Sequence, residues 1–152
     1  MPKIYLSPST QDQNPYVDGS GSEEYWMNLL ADALEPYLYA NTIAFVRNSP
    51  EMTAASSIAQ ANQLGGFDFY LALHSNASGE GQAGKNRGII VFYYPTSSDG
   101  KRAAELFAAR LREVYPLPSK VTTQATTTLG EVRRPRYPAN LIEMGYHDNY
   151  DD

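Results

Sequence analysis

One stretch of the chain, FDFYLALHS at residues 67–75, constrains the fold more than any other. An apolar run of this length, preceded by two glycines and followed by the polar, glycine-rich residues 79–87, is typical of a strand buried on both faces of a parallel sheet. Ligands bind at the carboxyl ends of strands in such sheets. His74, one of only two histidines, closes this strand and is therefore predicted to lie at a functional site.

Strand and helix patterns alternate along the rest of the chain, which predicts an α/β fold with a mostly parallel, twisted sheet flanked by helices on both faces. With 152 residues and 42% hydrophobic content, the chain fits a single domain spanning 1–152. Residues 116–138 predict no long regular element. The predicted strands are 4–6, 42–46, 67–75, 88–94 and 139–145. Three helices are predicted: one that starts at the N-cap Ser22, one from the N-cap Ser49 to about Leu64, and one over 99–115.

Apolar spacing indicates which side of two helices faces the core. The first helix is predicted to bury Trp26, Leu29, Leu30, Ala33, Leu34 and Leu38, and the helix over 99–115 to bury Leu106, Phe107, Leu111 and Val114.

Charge and composition exclude several classes of function. The net charge is −5 and no basic run is present, which argues against nucleic-acid binding. The absence of cysteine excludes a disulfide scaffold and a cysteine-ligated zinc finger. No apolar stretch is long enough to span a bilayer, and the N-terminal residues do not have the pattern of a secretory signal peptide.

Acidic residues accompany His74 at the predicted site. Glu23 and Glu24 open a helix, where acids usually complement the helix dipole. Glu143 lies inside the apolar strand ANLIEMG, where a carboxylate is costly unless it is paired, hydrogen-bonded or bound to a metal. Two interpretations of Glu143 follow, an ion pair with Arg133 or Arg134 and a functional role. Imidazole and carboxylate together are ligands that zinc accepts, with one position left for water.

Four motifs in the order EYWMNLLA, HSNA, GIIVFYY and IEMGYHDN resemble those of the zinc-dependent N-acetylmuramoyl-L-alanine amidases of the amidase-3 type. The resemblance covers nearly the whole chain. It implies that Glu24 and His74 are zinc ligands and that Glu143 is the catalytic carboxylate. It further implies that Arg47 and Asn76 orient the substrate or the residues around the metal.

One departure concerns the first metal ligand. The family has a histidine after its first strand, whereas this chain has LSPSTQDQN there. Gln11 stands closest to the expected position and is predicted as the third ligand, although a glutamine oxygen binds zinc less well than imidazole. Asp12 is the charged alternative. His147 is a further alternative, and its other interpretation is a loop histidine that hydrogen-bonds a neighbour.

A second departure is that the family's final helix is apparently absent. An exposed apolar face is expected to follow, with a monomer or a weak dimer in solution.

The resemblance implies a peptidoglycan hydrolase that cleaves the amide bond between the lactyl group of N-acetylmuramic acid and L-alanine. It would act in the cell wall or outside the cell, with Zn²⁺ as cofactor and neither nucleic acid nor membrane as partner. Two alternatives remain open from the sequence: a non-catalytic wall-binding module with a degraded metal site, and a metal-dependent hydrolase of another amide.

Overall fold

The computed structural model describes all 152 residues and contains a six-stranded sheet covered by helices. The strands lie in the order β2-β1-β3-β6-β4-β5, so the last strand is inserted between β3 and β4. The strands are β1 Lys3–Pro8, β2 Ala44–Arg47, β3 Phe69–Asn76, β4 Ile89–Tyr93, β5 Val121–Ala125 and β6 Ala139–Tyr146. The helices are α1 Glu23–Ala40, α2 Ala54–Leu64, α3 Ser98–Arg112 and the short α4 Gly130–Arg133, with a 3₁₀ turn at Pro118–Lys120.

All neighbouring strands are parallel except β4 and β6, which are antiparallel. The mostly parallel α/β fold predicted from the sequence is therefore confirmed. In the register of β3 and β6, His74 lies opposite Glu143, and the register shifts just beyond this pair. The sheet thus brings together two residues that are far apart in the sequence.

The buried side of α1 agrees with the predicted one only in part. Ser22 is the N-cap, as predicted, and its hydroxyl accepts a hydrogen bond from the Tyr25 amide. The fully buried positions are Glu23, Met27 and Ala31, spaced four residues apart, whereas the predicted Leu29 is 41% exposed. The prediction is confirmed for four residues that are partly buried against the core, Trp26, Leu30, Leu34 and Leu38, and was wrong for Leu29 and Ala33, which are exposed. It also missed Glu23, because the side that packs on the sheet carries an acid as well as apolar residues.

A similar correction applies to α3 and to the start of α2. The small residues Ala104 and Ala108 of α3 are fully buried, and the predicted Phe107 and Leu111 pack against the core, as expected. The predicted Leu106 and Val114 are exposed. Helix α2 begins after Thr53, whose side chain and that of Ser56 cap each other's backbone amides. This reciprocal capping moves the start of the helix beyond the predicted Ser49.

The segment 116–138, predicted to lack long elements, contains the edge strand β5 and the four-residue helix α4. Strand β5 is mostly exposed and pairs only with β4, so it carries little of the apolar signal that marks a buried strand. Helix α4 packs against α2 and β6 and places Glu131 inside the molecule.

Two apolar clusters occupy the two faces of the sheet. The first lies under α1 and α3 and includes Leu6, Leu73 and Val91; the second lies under α2 and α4 and includes Tyr5, Tyr70 and Leu141. No helix has the length and apolar character needed to cross a membrane. The largest cavity, about 380 Å³, is an apolar groove lined mainly by side chains of α3, with Ile4 and Phe69.

Gly88, just before β4, offers a test of the close approach between β4 and the 3₁₀ turn. Its φ is +131°, and a Cβ there would lie 2.4 Å from the carbonyl oxygen of Lys120. We expect Gly88→Ala to lower the free energy of unfolding by about 2 kcal/mol or more, because both the strain and the clash involve backbone. Gly79→Ala is the matched control, since its Cβ would meet nothing within 4 Å. Equal denaturant midpoints for the two variants would contradict this expectation.

Candidate functional site

The centre of the site is His74 at the carboxyl end of β3, held between two carboxylates. Its Nδ1 lies 2.9 Å from Oε1 of Glu23, at the start of α1, and its Nε2 lies 2.8 Å from Oε1 of Glu131, in α4. All three side chains are buried. The three elements therefore converge on one imidazole ring whose two nitrogens each face a negative charge.

The two carboxylates control the charge of the ring. Burial alone would lower the pKa of His74, but the hydrogen bonds and charges of Glu131 and Glu23 outweigh it and raise the pKa to about 10. Burial likewise acts to raise the pKa of Glu23, yet its contacts with His74 and Asn14 bring it below the usual value. Without a metal ion, His74 is thus an imidazolium at neutral pH, compensated on both sides; a bound metal would replace the proton on Nδ1.

Glu143 differs from the other carboxylates because it is half-buried and one of its oxygens is buried without a partner. Its Oε2 is inaccessible to solvent and has no hydrogen bond, and no ion pair joins it to Arg133 or Arg134. Burial raises the pKa of Glu143 to about 7; the charge of His74 opposes this rise and that of Glu23 adds to it. A carboxyl group with a pKa near neutrality is suited to accept and return a proton.

The structure places Glu23 in the position that the sequence assigned to Glu24. Glu23 is 2% exposed and touches His74, whereas Glu24 is partly exposed and its side chain makes no hydrogen bond or ion pair. Successive helical residues point about 100° apart, so only one of the pair faces the sheet. Glu23 is on the side that also carries Met27 and Ala31.

Gln11 lies close to this cluster. Its Oε1 accepts a hydrogen bond of 3.0 Å from Nδ2 of Asn14, which also donates to Oε2 of Glu23 at 2.8 Å. Gln11 lines the same cleft as His74, whereas Asp12 is exposed. Of the two candidates from this loop, the structure links Gln11 to Glu23.

Arg47 is not part of the cluster. Its guanidinium contacts Asp32 and Glu35 at 2.6 and 2.9 Å and both the backbone and side-chain oxygens of Asn28, so it ties β2 to α1. Asn76 ends β3 two residues after His74, and its side-chain oxygen accepts a hydrogen bond from the amide of Ala77.

His147 bonds a neighbour, as one of its two interpretations held. Its Nδ1 lies 2.9 Å from Oγ of Ser75, and its ring stacks on Tyr16 at 5.7 Å between centroids. It makes no hydrogen bond to Glu23, His74 or Glu131.

Glu131 is the residue that the sequence analysis missed. It stands in a four-residue helix inside a segment rich in proline, threonine and arginine, and its only sequence signal is an acid flanked by leucine, glycine and valine. Nothing in that pattern links it to His74, which is 57 residues away.

One cleft opens on the cluster, and a second contains His147, which hydrogen-bonds Ser75, the residue after His74. The first, about 280 Å³, contains His74 and Glu131 and is otherwise lined mostly by polar side chains, among them Gln11, Gln13 and Asn48. The second, about 290 Å³, contains His147 and several aromatic rings, namely Tyr16, Trp26, Tyr146 and Tyr150.

The sequence profile of the N-acetylmuramoyl-L-alanine amidases (Amidase_3) matches residues 10–152. The chain belongs to this family. The family supports a peptidoglycan hydrolase that acts in the cell wall or outside the cell. A sequence search of curated proteins gives no match.

Solved amidase structures share the fold at low sequence identity. The catalytic domain of CwlV, an N-acetylmuramoyl-L-alanine amidase from Bacillus (Paenibacillus) polymyxa var. colistinus, superposes with a TM-score of 0.81 at 15% identity, covering 100% of this chain and 84% of that one. An N-acetylmuramoyl-L-alanine amidase from Clostridium difficile 630 gives 0.80 at 17% identity, covering 99% and 82%. The catalytic domain of the CD27L endolysin, which targets Clostridia difficile, gives 0.75 at 20% identity, covering 100% and 86%.

The donor set fits a zinc ion at two protein positions. Nδ1 of His74 and Oε1 of Glu23 are donors of the type found in catalytic zinc sites, and a carboxylate on the other ring nitrogen is the usual partner of a histidine ligand. The buried, unpartnered Oε2 of Glu143 lies beside them. No three His, Cys, Asp or Glu side chains are arranged to hold a metal ion together, so a third position would fall to an amide oxygen or to water.

Because its pKa is raised, Glu143 is predicted to lower the free energy of unfolding in a pH-dependent way. In the metal-free protein, the folded state holds its proton up to pH about 7, whereas the unfolded chain loses it near 4.5, so stability falls as the pH rises through this window. We expect Glu143→Gln to raise the free energy of unfolding at pH 8 by roughly 2–4 kcal/mol and to change it little at pH 4. Urea unfolding at both pH values measures the difference, and an equal effect at pH 4 and pH 8 would contradict it.

Proposed function

We propose that this protein is an N-acetylmuramoyl-L-alanine amidase that hydrolyses the bond between the lactyl group of N-acetylmuramic acid and L-alanine, with zinc as cofactor. Family membership supports the reaction class. The observation that carries the proposal is Glu143: a half-buried carboxyl group whose Oε2 is buried without a hydrogen-bond partner, with a pKa near 7, opposite His74 in the register of β3 and β6. A fold gains nothing in stability from such a group, so its presence there points to chemistry.

The residues have distinct tasks in this proposal. Glu23 and His74 would hold the zinc ion, and Gln11 is the candidate for the third protein ligand. Zinc, when bound, supplies a Lewis acid for the scissile carbonyl and lowers the pKa of the attacking water. The carboxylate of Glu143 would accept a proton from the attacking water and deliver it to the nitrogen of the departing alanine, so that the amine leaves neutral.

The two clefts match a substrate that joins a peptide to a sugar. The polar cleft carries the amide groups of Gln11, Gln13 and Asn48 beside His74, and such groups donate to and accept from peptide bonds. The aromatic cleft offers ring faces, with Trp26 and Tyr16 6.0 Å apart between centroids. Asn76 lies at the end of β3, two residues after His74, and is a candidate for orienting the substrate.

A second candidate function is a wall-binding module without catalysis. Two observations favour it. Both ring nitrogens of His74 already contact carboxylates, and no three His, Cys, Asp or Glu side chains are arranged to bind one metal ion. The two functions differ in one property that is directly measurable, the release of peptides from the wall.

Digestion of purified peptidoglycan tests the proposal. Metal-stripped protein is incubated with and without added zinc, and mass spectrometry scores intact stem peptides with free L-alanine N-termini. We expect zinc-dependent release by the wild-type protein and a decrease of about 10²–10⁴-fold in Glu143→Gln, because the proton acceptor is lost while the shape is kept. Folded wild-type protein that sediments with the wall but releases nothing would establish the binding module instead.

The choice between the two adjacent glutamates is tested separately. Glu23→Gln is expected to weaken zinc binding by at least about 10-fold, since Glu23 carries the oxygen beside Nδ1 of His74. Glu24→Gln is the matched control and is expected to stay within about twofold of the wild type, because its side chain contacts none of these residues. Competition against a chromogenic chelator measures both affinities. The opposite order would reinstate Glu24 as the ligand.

A further inference from the structure

We propose that Glu131 is the positioning residue of this site: it holds the imidazole of His74 so that Nε2 is occupied and Nδ1 faces Glu23. This inference rests on the proposed function for its consequence in zinc binding, but the ring orientation itself can be tested without metal. No residue of the motifs discussed above supplies this contact.

The two oxygens of Glu131 have different partners. Oε1 lies 2.8 Å from Nε2 of His74. Oε2 accepts hydrogen bonds from Oγ of Ser7 at 2.6 Å and from Oη of Tyr70 at 2.5 Å. One oxygen therefore serves the ring, while the other is fixed by hydroxyls from β1 and β3.

Those hydroxyls make Glu131 rigid. Tyr70 is fully buried, and its burial together with the charge of Glu131 raises the pKa of Tyr70 above the usual range, so its hydroxyl remains a donor. Ser7 is also buried, near the carboxyl end of β1. The carboxylate of Glu131 makes three hydrogen bonds and is 4% exposed, so its position is fixed. The fixed carboxylate in turn sets the orientation of the His74 ring.

The position of Glu131 also bears on the missing histidine. Through Ser7, its carboxylate lies against the end of β1, the strand after which the family resemblance expects the first ligand. Glu131 occupies this side of His74 from a different element, α4, and it contacts the nitrogen remote from Glu23. It is therefore placed to orient His74 rather than to share an ion with Glu23.

Such a carboxylate has a defined effect on a histidine ligand. By accepting the proton of one ring nitrogen, it fixes the tautomer and raises the basicity of the other nitrogen. Loss of a partner of this kind typically weakens metal binding by about 10–100-fold. A purely structural Glu131, which only joins α4 to the sheet, would have no such effect on Nδ1.

The test compares Glu131→Gln with Tyr70→Phe. Glu131→Gln keeps the shape and removes the charge that faces Nε2; Tyr70→Phe removes a hydrogen bond to the other oxygen and leaves the contact with His74 intact. We expect the zinc dissociation constant to rise about 10–100-fold in Glu131→Gln and to stay within about threefold in Tyr70→Phe. Circular dichroism and thermal unfolding confirm that both variants are folded.

The metal-free protein provides the second readout. In ¹⁵N-labelled wild-type protein, the Nε2 proton of His74 is expected to exchange slowly with water; in Glu131→Gln its exchange is faster while the Nδ1 proton stays protected by Glu23. Unchanged exchange in Glu131→Gln, or equal zinc affinity in the two variants, overturns the proposal. A wild-type protein that binds no zinc but shows this exchange pattern would refute the proposed zinc dependence and leave the positioning role of Glu131 standing.

Discussion

The arrangement at the carboxyl end of the sheet depends on one buried imidazolium between two buried carboxylates. Either carboxylate alone would be expensive to remove from water, and so would the histidine if it were charged and unpaired. Together they compensate one another, and their hydrogen bonds of 2.9 and 2.8 Å join α1, β3 and α4 at one point. The loop after β1 is drawn into the same arrangement through Asn14, which binds both Glu23 and Gln11.

Glu143 differs from Glu23, His74 and Glu131 because its charge is not compensated by a hydrogen-bonded partner. It lies across from His74 in the neighbouring strand but has no hydrogen bond for its Oε2. A protein under selection for stability alone would place an apolar or amide side chain there. The unpaired carboxylate and the compensated histidine are adjacent, so the site combines a group fixed by hydrogen bonds with a carboxyl group whose pKa is raised to about 7.

The sequence was sufficient for features that depend on local patterns. The continuous apolar run before His74 predicted the central strand, and Ser22 predicted the start of α1. Local patterns could not choose between Glu23 and Glu24, because that choice depends on how α1 is rotated against the sheet. They also could not find Glu131, since its contact with His74 spans 57 residues and its helix has only four. The site residues named from the sequence lie in or just after strands or open a long helix; Glu131 does neither.

The place of β6 in the sheet has a consequence for how the site is assembled. Without β6, the remaining strands would form two separate groups, β2-β1-β3 and β4-β5, with no hydrogen bonds between them. The strand that joins the groups is the last of the six in the chain, and it also carries Glu143. Contacts of such long sequence separation form late because the loops they close are costly in entropy. We therefore expect the carboxylate of Glu143 to enter its position in the same step that completes the sheet, so that a partly folded chain has His74 without this neighbour.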